Sequence, residues 1–583
     1  MVLDVGEYRG PLVLLVDGAD VSSLVRREGN RVVYEPSQPF APGEHRIQLL
    51  PTDPAGPGRA EWNVTTGQAA KEGRSNELYS RSGLSASASQ VFGDKVRGSQ
   101  VSASASLNVD VGGRRGPAEL EAKGSFAYAN TAPADKIEPS TYLLSLTYGP
   151  ASVAFGDVSF RGTPLVAPGL ARRGALAAYS GGGALVQVAQ VSSSPVTGWD
   201  TGLSTGERIS AGSASYDLPL GTAAPLKVSV AFVVGKNPGA SGAGVASAET
   251  AAGGKAAGVQ GSGRVFDTGV NAEAAWSSYD PDTSRGAGGQ RDTAATIQLD
   301  RAIAGVSLSA NYLYAGPDFA SVANPGATRD RQQFGLSAGT GFGASTLSAT
   351  AGRSWDNVEH DDARPVVYND TWGLTYALSP QAWPSLSLSY LRGRVKSSAE
   401  PDGTPQAENT SDTVSGALAY ARGAWSANVS SSWSKLDDRQ TGQSKTLSEQ
   451  LAVNLQPWAS VRLAPTVAFT RSDRQGTHQD TRLGTLTLSW KPIELVSLDG
   501  QGSWTQNDAS DGSMDNEQRT ASLRLGYAAQ WATRLFLARQ ASLSVSFSYD
   551  RQIDHRDPSN DQSNASALLS LSVFAPFEGS YRF

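Results

Sequence analysis

The chain has 583 residues, a formal net charge of −6, 18% charged residues and no cysteine. This charge, without any basic run, excludes nucleic acid as an expected partner, and the lack of cysteine excludes disulfides, thiolate metal sites and a thiol nucleophile. No apolar run approaches 18 residues, so the sequence predicts no transmembrane helix. The first residues lack the pattern of a signal peptide, so we expect an exported protein to have this sequence as its mature or trimmed form.

Residues 1–67 are predicted to form a small β-sandwich. Short apolar runs are separated by turn signals at 17–18, 29–30, 42–43 and 53–58, a spacing typical of short strands. The "DG" at 17–18, the "YEP" at 34–36 and the "PGEH" at 42–45 resemble motifs of bacterial immunoglobulin-like domains. The resemblance implies a binding module without chemistry, which we expect to lie in the periplasm and to recruit a partner. A polar linker, 68–79, follows.

From residue 80 to residue 583 the sequence alternates between apolar and polar residues. In "SLSLSY" the apolar residues Leu386, Leu388 and Tyr390 alternate with serines, and "TLTLSW" and "SLSVSFSY" repeat the pattern. Such alternation predicts strands with one apolar and one polar face. About 26 segments of roughly ten to fourteen residues, tilted near 40°, would each rise about 25–30 Å, the height of the apolar band of an outer membrane. The fold is therefore predicted to be all-β, a large antiparallel transmembrane barrel.

The connections between these segments alternate in length. Short ones lie at 148–150, 180–183, 267–269, 422–424 and 456–459, and long ones at 195–206, 235–255, 281–290, 316–329, 356–365, 397–409 and 554–562. Short periplasmic turns and long extracellular loops are typical of transmembrane barrels. Aromatic residues fall beside both kinds of connection, as in interfacial girdles: Trp383, Trp425, Trp458 and Trp490 beside short turns, and Trp276, Tyr279, Trp355, Trp433 and Tyr549 beside long loops.

The chain ends "APFEGSYRF", with aromatic residues at the last and third-last positions, Phe583 and Tyr581. This ending resembles the final strand of bacterial outer-membrane barrel proteins. The resemblance implies the outer membrane of a Gram-negative bacterium, contact with its lipid and lipopolysaccharide, and recognition of the last strand by the barrel-insertion machinery. It also implies pairing of the last strand with the first, which removes the open edge. Pro576 departs from the pattern, because it lacks a donor for the ladder, so pairing is expected to break there or the strand to begin after it.

A barrel of about 26 strands has a perimeter of about 160 Å and a backbone diameter of about 50 Å. Side chains cannot fill that space, so water, a plug or a partner must occupy it. The predicted inner face is mainly small and polar, as in Ser426, Asn428 and Ser430, without the charged constriction of a selective porin. We therefore expect a conduit or translocon subunit whose lumen passes or encloses a large partner. The low-complexity loop 235–255 is expected to be external, or alternatively to plug the lumen.

The barrel size resembles that of porin–cytochrome conduit barrels and of lipopolysaccharide-inserting barrels. This sequence departs from both, because it lacks the N-terminal cysteine pair often seen in the first group and the cysteines and N-terminal domain of the second. A second hypothesis is a plugged surface scaffold or adhesin. The connection 528–542 is also unusual: Trp531, Leu535 and Phe536 have helical spacing, so it forms either a short interfacial helix or a long turn between strand ends.

We predict no enzyme activity, catalytic residue, cofactor or metal site. "GLSAG" at 335–339 matches a serine-nucleophile motif, but Ser337 lies in an alternating strand, and "DTG" at 267–269 is expected to be a hairpin turn. A rim-located hydrolase is the third hypothesis, and it would use His360 or His555, each beside carboxylates. The remaining histidines, His45 and His478, have no companions, so metal or haem ligation is not expected.

Overall fold

The computed structural model describes residues 2–4, 12–16, 19–20, 25–28, 31–34, 43–51, 60–66, 77–93, 100–129, 138–194, 196, 198–203, 208–219, 225–237, 251–283, 288–529 and 540–582. Seven short strands occupy the first part of the chain: β1 Val2–Asp4, β2 Leu12–Val16, β3 Ala19–Asp20, β4 Val25–Glu28, β5 Arg31–Tyr34, β6 Gly43–Pro51 and β7 Ala60–Thr66. They pair into two sheets, in the orders β1-β5-β4 and β3-β2-β6-β7. The immunoglobulin-like assignment stays a prediction, since most of its turn signals lie outside the described residues.

The following 26 strands form one closed antiparallel barrel in which each strand pairs with its neighbours in sequence. They are β8 Glu77–Gly93, β9 Gln100–Arg115, β10 Ala118–Ala129, β11 Glu138–Tyr148, β12 Ala151–Phe160, β13 Leu170–Gly181, β14 Ala184–Ser192, β15 Arg208–Leu218, β16 Leu226–Asn237, β17 Ala252–Val265, β18 Thr268–Asp280, β19 Gln290–Ile303, β20 Val306–Ala315, β21 Arg331–Phe342, β22 Ser345–Trp355, β23 Val366–Leu378, β24 Ser385–Ser398, β25 Glu408–Arg422, β26 Trp425–Asp438, β27 Gly442–Trp458, β28 Val461–Arg474, β29 Thr477–Ile493, β30 Val496–Ala509, β31 Asp515–Ala528, β32 Gln540–Asp554 and β33 Gln562–Arg582. The predicted all-β fold and its large barrel are confirmed.

The alternating sequence gives the wall two different faces. In β26 the large apolar residues Trp425, Val429 and Trp433 are 42%, 50% and 39% exposed, whereas Ser426 and Ser430 alternate with them on the opposite face. Because a strand turns successive side chains to opposite faces, one face of β26 is apolar and the other is small and polar, and other strands likewise expose large apolar residues such as Leu144, Phe232 and Leu486. An exposed apolar band on a closed barrel is the arrangement that a bilayer requires, so the apolar face is outward.

The two ends of the barrel differ, as the sequence predicts. One end, the short-turn end, has connections such as 116–117, 149–150, 266–267, 304–305 and 423–424; the other, the long-loop end, has 161–169, 316–330, 356–365 and 399–407. Asp267 of the "DTG" sequence has a φ of 63°, which suits a two-residue hairpin turn. The difference in length becomes smaller later in the chain, because at the long-loop end the connections 439–441 and 475–476 are also short.

The last strand closes the barrel, as expected. β33 pairs with β8 from Ser566↔Gly93 to Arg582↔Glu77, while Phe583 lies outside the described residues. The expected break at Pro576 is wrong, because pairing continues through Pro576↔Gly83. The described pairs with β32 end at Phe574, and residues 530–539 lie outside the described part, so the missing N–H of Pro576 removes none of the described pairs with β32.

Two further expectations concern helices. Among the described residues, no helix is both long and apolar enough to cross a membrane. Of the connection 528–542, residues 530–539 lie outside the described part; residue 528 belongs to β31, residues 540–542 belong to β32, and Ala529 N–H donates to Ala541 O at 2.8 Å. The choice between an interfacial helix and a long turn therefore stays open.

Candidate functional site: two loops on the inner wall

The connection between β12 and β13, residues 161–169, folds inward; we call it the constriction loop. Its sequence is "RGTPLVAPG". A tight internal turn closes it, with Gly162 N–H donating to Ala167 O at 3.0 Å and Ala167 N–H donating to Thr163 O at 2.8 Å. These bonds pair backbone groups that would otherwise be buried without partners. The loop can therefore leave water and lie on the wall as a compact unit.

The constriction loop crosses the inner wall from β14 to β18. At its start, Arg161 N–H donates to Gln187 Oε1 at 3.2 Å, and Ser213 Oγ donates to Arg161 O at 2.8 Å. At its tip, Leu165 N–H lies 3.0 Å from both oxygens of Glu273. Glu273 is on the inner face of β18 and only 4% exposed. Hydrogen bonds thus fix both the base and the tip of the loop to the wall.

A glycine in the wall makes room for the loop, because any larger residue at that position would contact the loop. A Cβ atom at Gly258 of β17 would lie 2.7 Å from Thr163 Oγ1 and 2.9 Å from Val166 Cγ2. Both loop residues are fully buried. The loop is therefore in van der Waals contact with the strand backbone at this point.

A second connection, residues 316–330 between β20 and β21, packs beside the first; we call it the bracing loop. Its Ser321 Oγ donates to Val166 O at 2.7 Å, and Asn324 Nδ2 donates to Leu165 O at 3.1 Å. Its own anchor on the wall is Ala320 N–H, which donates to Ser277 Oγ at 3.1 Å. The two loops therefore hold each other as well as the barrel.

An apolar cluster lies between these loops and the wall. Its fully buried members come from the ends of strands and from both loops: Phe160, Val166, Ala167, Val191, Val233, Ala315 and Phe319. Burial of each Val or Phe side chain contributes roughly 1.5–3 kcal/mol. The inner face of β12–β20 is thus a packed layer, and the loops are part of the folded core of the barrel.

The inner wall on later strands is small and polar. Pairs of hydroxyl groups bridge adjacent strands, including Ser389–Ser415 at 2.6 Å and Ser448–Thr470 at 3.2 Å. Around these residues the wall has a shallow concavity of about 600 Å³. This composition agrees with the predicted inner face. Hydroxyl groups offer hydrogen bonds in either sense and no fixed charge, so this wall presents little that would reject a solute by its charge.

A charged cluster on the inner face of the first strands escaped the sequence reasoning. Tyr79 OH donates to Glu121 Oε1 at 3.2 Å, Lys123 Nζ lies 2.7 Å from the same oxygen, and Arg81 lies over the Tyr79 ring at 5.6 Å. Gly112 makes room for that ring, because a Cβ there would lie 2.4 Å from it. Charges at every second position of β10 are the signal that could have revealed the cluster.

The constriction loop was also missed, because it is absent from the predicted long connections. The loop predicted as a possible plug, 235–255, has residues 238–250 outside the described part. One girdle assignment is wrong. Tyr279 packs against the inner apolar cluster, because it lies three positions from the outward Trp276, and an odd spacing reverses the face of a strand.

The candidate rim residues do not assemble into a catalytic set. His360 has a φ of 57° in loop 356–365. The adjacent Asp361 accepts from Ala363 N–H and pairs with Arg364, and these contacts hold the pKa of Asp361 below its ordinary value.

His555 Nε2 lies 3.6 Å from Glu517 Oε2, and the Glu517 carboxylate also accepts from Trp504 Nε1. Ser337 pairs with Ser309 inside β21. Within the described ranges, no group of three or more His, Asp or Glu residues could hold a metal.

No protein-family model and no curated protein matches the chain. Among solved structures, it is similar to the translocation pore of the P pilus usher PapC, with a TM-score of 0.21 and 12% identity over 86% of this chain and 100% of that one. It is also similar to the FrpB iron transporter from Neisseria meningitidis, with a TM-score of 0.38 and 11% identity over 85% and 82%. For the copper transporter OprC the values are 0.35 and 10% over 91% and 85%. All these scores lie below 0.5, so the similarities identify neither a family nor a function.

Proposed function

We propose that the protein is an outer-membrane conduit with a wide lumen that is narrowed on one side. The observation that carries the proposal is the closed wall of 26 strands, with an apolar outer face and, on its later strands, a small polar inner face. At about 4.8 Å per strand and a tilt near 40°, its backbone diameter is about 50 Å. The constriction loop and the bracing loop line the wall near β12–β20, whereas the hydroxyl-bearing inner face lies on later strands.

The wide lumen and its weakly charged wall favour a large cargo or an enclosed partner over a small charged solute. In this proposal the barrel lies in the outer membrane of a Gram-negative bacterium, with the long-loop end outside. The N-terminal domain lies in the periplasm and recruits the partner. The barrel-insertion machinery recognises the last strand, β33, together with the C-terminal Phe583 that follows it in the sequence. The chain acts without catalysis, a cofactor or a metal.

Single-channel conductance in planar bilayers tests this function. We expect steps on the order of several nanosiemens, as for an unfilled wide barrel. A variant with residues 163–167 replaced by a two-glycine turn should conduct more, because the tip of the constriction loop is removed. Silence in both proteins would contradict the conduit and favour the plugged scaffold or adhesin. The matched control replaces the exposed residues 402–405 of another long loop and should leave the conductance unchanged.

A further inference from the structure

The wall has a weak seam between β11 and β12. Their backbone pairing covers only Leu143–Tyr148 against Ala151–Gly156, whereas β12 pairs with β13 along its whole length, from Ala151 to Phe160. Gly156, with a φ of 110°, ends the paired part. Toward the long-loop end the strands are joined through side chains instead: Asp157 Oδ2 accepts from Tyr142 N–H at 2.8 Å.

A buried arginine on the outer side closes the seam. Arg173 of β13 is 1% exposed. Its Nε lies 3.3 Å from Asp157 Oδ1, and its Nη2 donates to Ser140 O of β11 at 3.4 Å. The guanidinium also lies 4.6 Å from the centre of the Tyr142 ring. Arg173 therefore joins three strands at the level where the backbone ladder is missing.

A strap, residues 198–203, covers this arginine from outside. Asp200 O accepts from Arg173 Nη1 at 3.1 Å. The strap lies against β13, since a Cβ atom at Gly202 would be 2.6 Å from Arg173 O. Its Trp199 contacts Phe126 of β10 with ring centres 5.9 Å apart and is 67% exposed. An exposed indole on the outer side of a barrel favours the headgroup level of a bilayer.

Next to the Arg173–Asp157 pair, toward the short-turn end, the outer face has an apolar groove of about 980 Å³. Its floor is small, with Ala175, Ala177 and Gly212, and its sides are large, with Leu144, Val153, Phe155, Val188 and Phe232. Ala175 follows Arg173 by two positions, so the groove begins about 7 Å along the strand from the Cα atom of Arg173. The volume is at the upper end of the range in which proteins hold drug-sized ligands, about 300–1,000 Å³.

We propose that this groove binds one acyl chain of an outer-leaflet membrane lipid, whose headgroup lies toward the strap and Trp199. The groove opens on the outward apolar band, where the bilayer presents hydrocarbon chains. The Arg173–Asp157 pair makes one end of the site charged, whereas the groove itself is apolar. An amphiphilic lipid has the same two parts, a polar headgroup and an apolar chain. The seam between the last and first strands, β33 and β8, is paired over the whole of Ser566–Arg582 and has no part in this site. The proposal rests on the barrel spanning a bilayer and is independent of what crosses the lumen.

The test uses the full chain in phosphatidylcholine vesicles that contain a trace of phosphatidylcholine with a diazirine on one acyl chain. Gly212→Leu fills the groove, because a Cβ at Gly212 has its nearest neighbour, Gln187 O, at 3.9 Å. Gly261→Leu is the control: this glycine lies on the outer face of β17, and its Cβ would have nothing within 4 Å. Heat-modifiable migration verifies that both variants form the barrel.

After irradiation, adducts are mapped by peptide mass spectrometry. We expect them to concentrate on residues 144–155 and 175–190 in the parent and in Gly261→Leu. In Gly212→Leu these adducts should fall about tenfold, the change expected when about two methylene groups lose their contacts. Uniform labelling of the wall, labelling unaffected by Gly212→Leu, or cross-linking between copies of the chain through the groove would overturn the lipid site. Labelling nowhere on the wall would overturn the membrane placement as well.

Discussion

Replacing Gly258 with alanine tests how the constriction loop is held. The new Cβ would lie 2.7 Å from Thr163 Oγ1, 2.9 Å from Val166 Cγ2 and 3.1 Å from Glu273 Oε1. Thr163 and Val166 are fully buried, so neither side chain has free space to turn into. The added methyl group must therefore push the loop away from the wall.

The size of the effect follows from the cost of overpacking. Extra methylene-sized groups in a packed core cost about 1–3 kcal/mol. Because each 1.4 kcal/mol is a factor of ten, the equilibrium between the attached and detached loop should shift toward detachment by roughly 5- to 150-fold. The wall itself should be little affected, since β17 has its own continuous pairs with β16 and β18.

Hydrogen exchange of the peptide that covers residues 161–169, measured on the protein in vesicles, gives the shift directly, because local opening limits exchange. We expect exchange in Gly258→Ala to be faster by the same factor. Gly261→Ala is the control, on the same strand and the opposite face, with nothing within 4 Å of its Cβ. Equal exchange in the parent and both variants would refute the inference that close packing holds the loop.

Three other changes test the hydrogen bond at the loop tip, the closure of the seam and the recognition of the last strand. Glu273→Ala removes the acceptor of the hydrogen bond at the loop tip, a bond worth about 1.5–3 kcal/mol for a charged partner, and should raise the single-channel conductance. Glu273→Gln keeps an acceptor and should raise the conductance less. An unchanged conductance in both variants would show that the bond is dispensable. Arg173→Met should destabilise the seam by about 3 kcal/mol, the lower end of the range for a broken buried ion pair, because Asp157 is 30% exposed. The temperature at which heat-modifiable migration is lost should therefore fall, whereas Arg172→Met, on the inner face, should leave it unchanged; equal temperatures would refute the closure role. Deleting Phe583 should lower assembly in cells and leave refolding into vesicles intact, and a loss of both would contradict recognition of the last strand by the insertion machinery.

The barrel was predictable because its signal is local. A strand places alternate residues on opposite faces, so "SLSVSFSY" reveals both faces and the strand without any knowledge of its neighbours. Turn residues are equally local, and Asp267 is found in the turn that its sequence predicts. Even the error at Tyr279 came from neglecting this alternation, since an odd spacing from Trp276 should have placed it inside.

The constriction was not predictable, because its contacts are distant in sequence. Glu273 meets the loop tip at a separation of 108 residues, and Ser321 meets Val166 at 155. In the sequence, Glu273 is only one charged residue on the polar face of an alternating strand. The closure of the seam was easier to predict from the sequence. Arg173 lies at an outward position of a strand in the apolar wall, and an ionisable residue there needs a partner. The identity of that partner, Asp157, depends on the register of β12 with β13.

Polymer exclusion measures most directly whether the barrel has a wide aqueous lumen that is narrowed from one side. Conductance of single channels would be recorded with neutral polyethylene glycols of increasing size in the bath. We expect polymers about 10 Å in radius, well below half of the backbone diameter of about 50 Å, to enter the lumen and lower the conductance. We also expect the largest polymer that enters to be bigger when residues 163–167 are replaced by two glycines. Exclusion of polymers no larger than a disaccharide, with or without that replacement, would contradict a wide lumen.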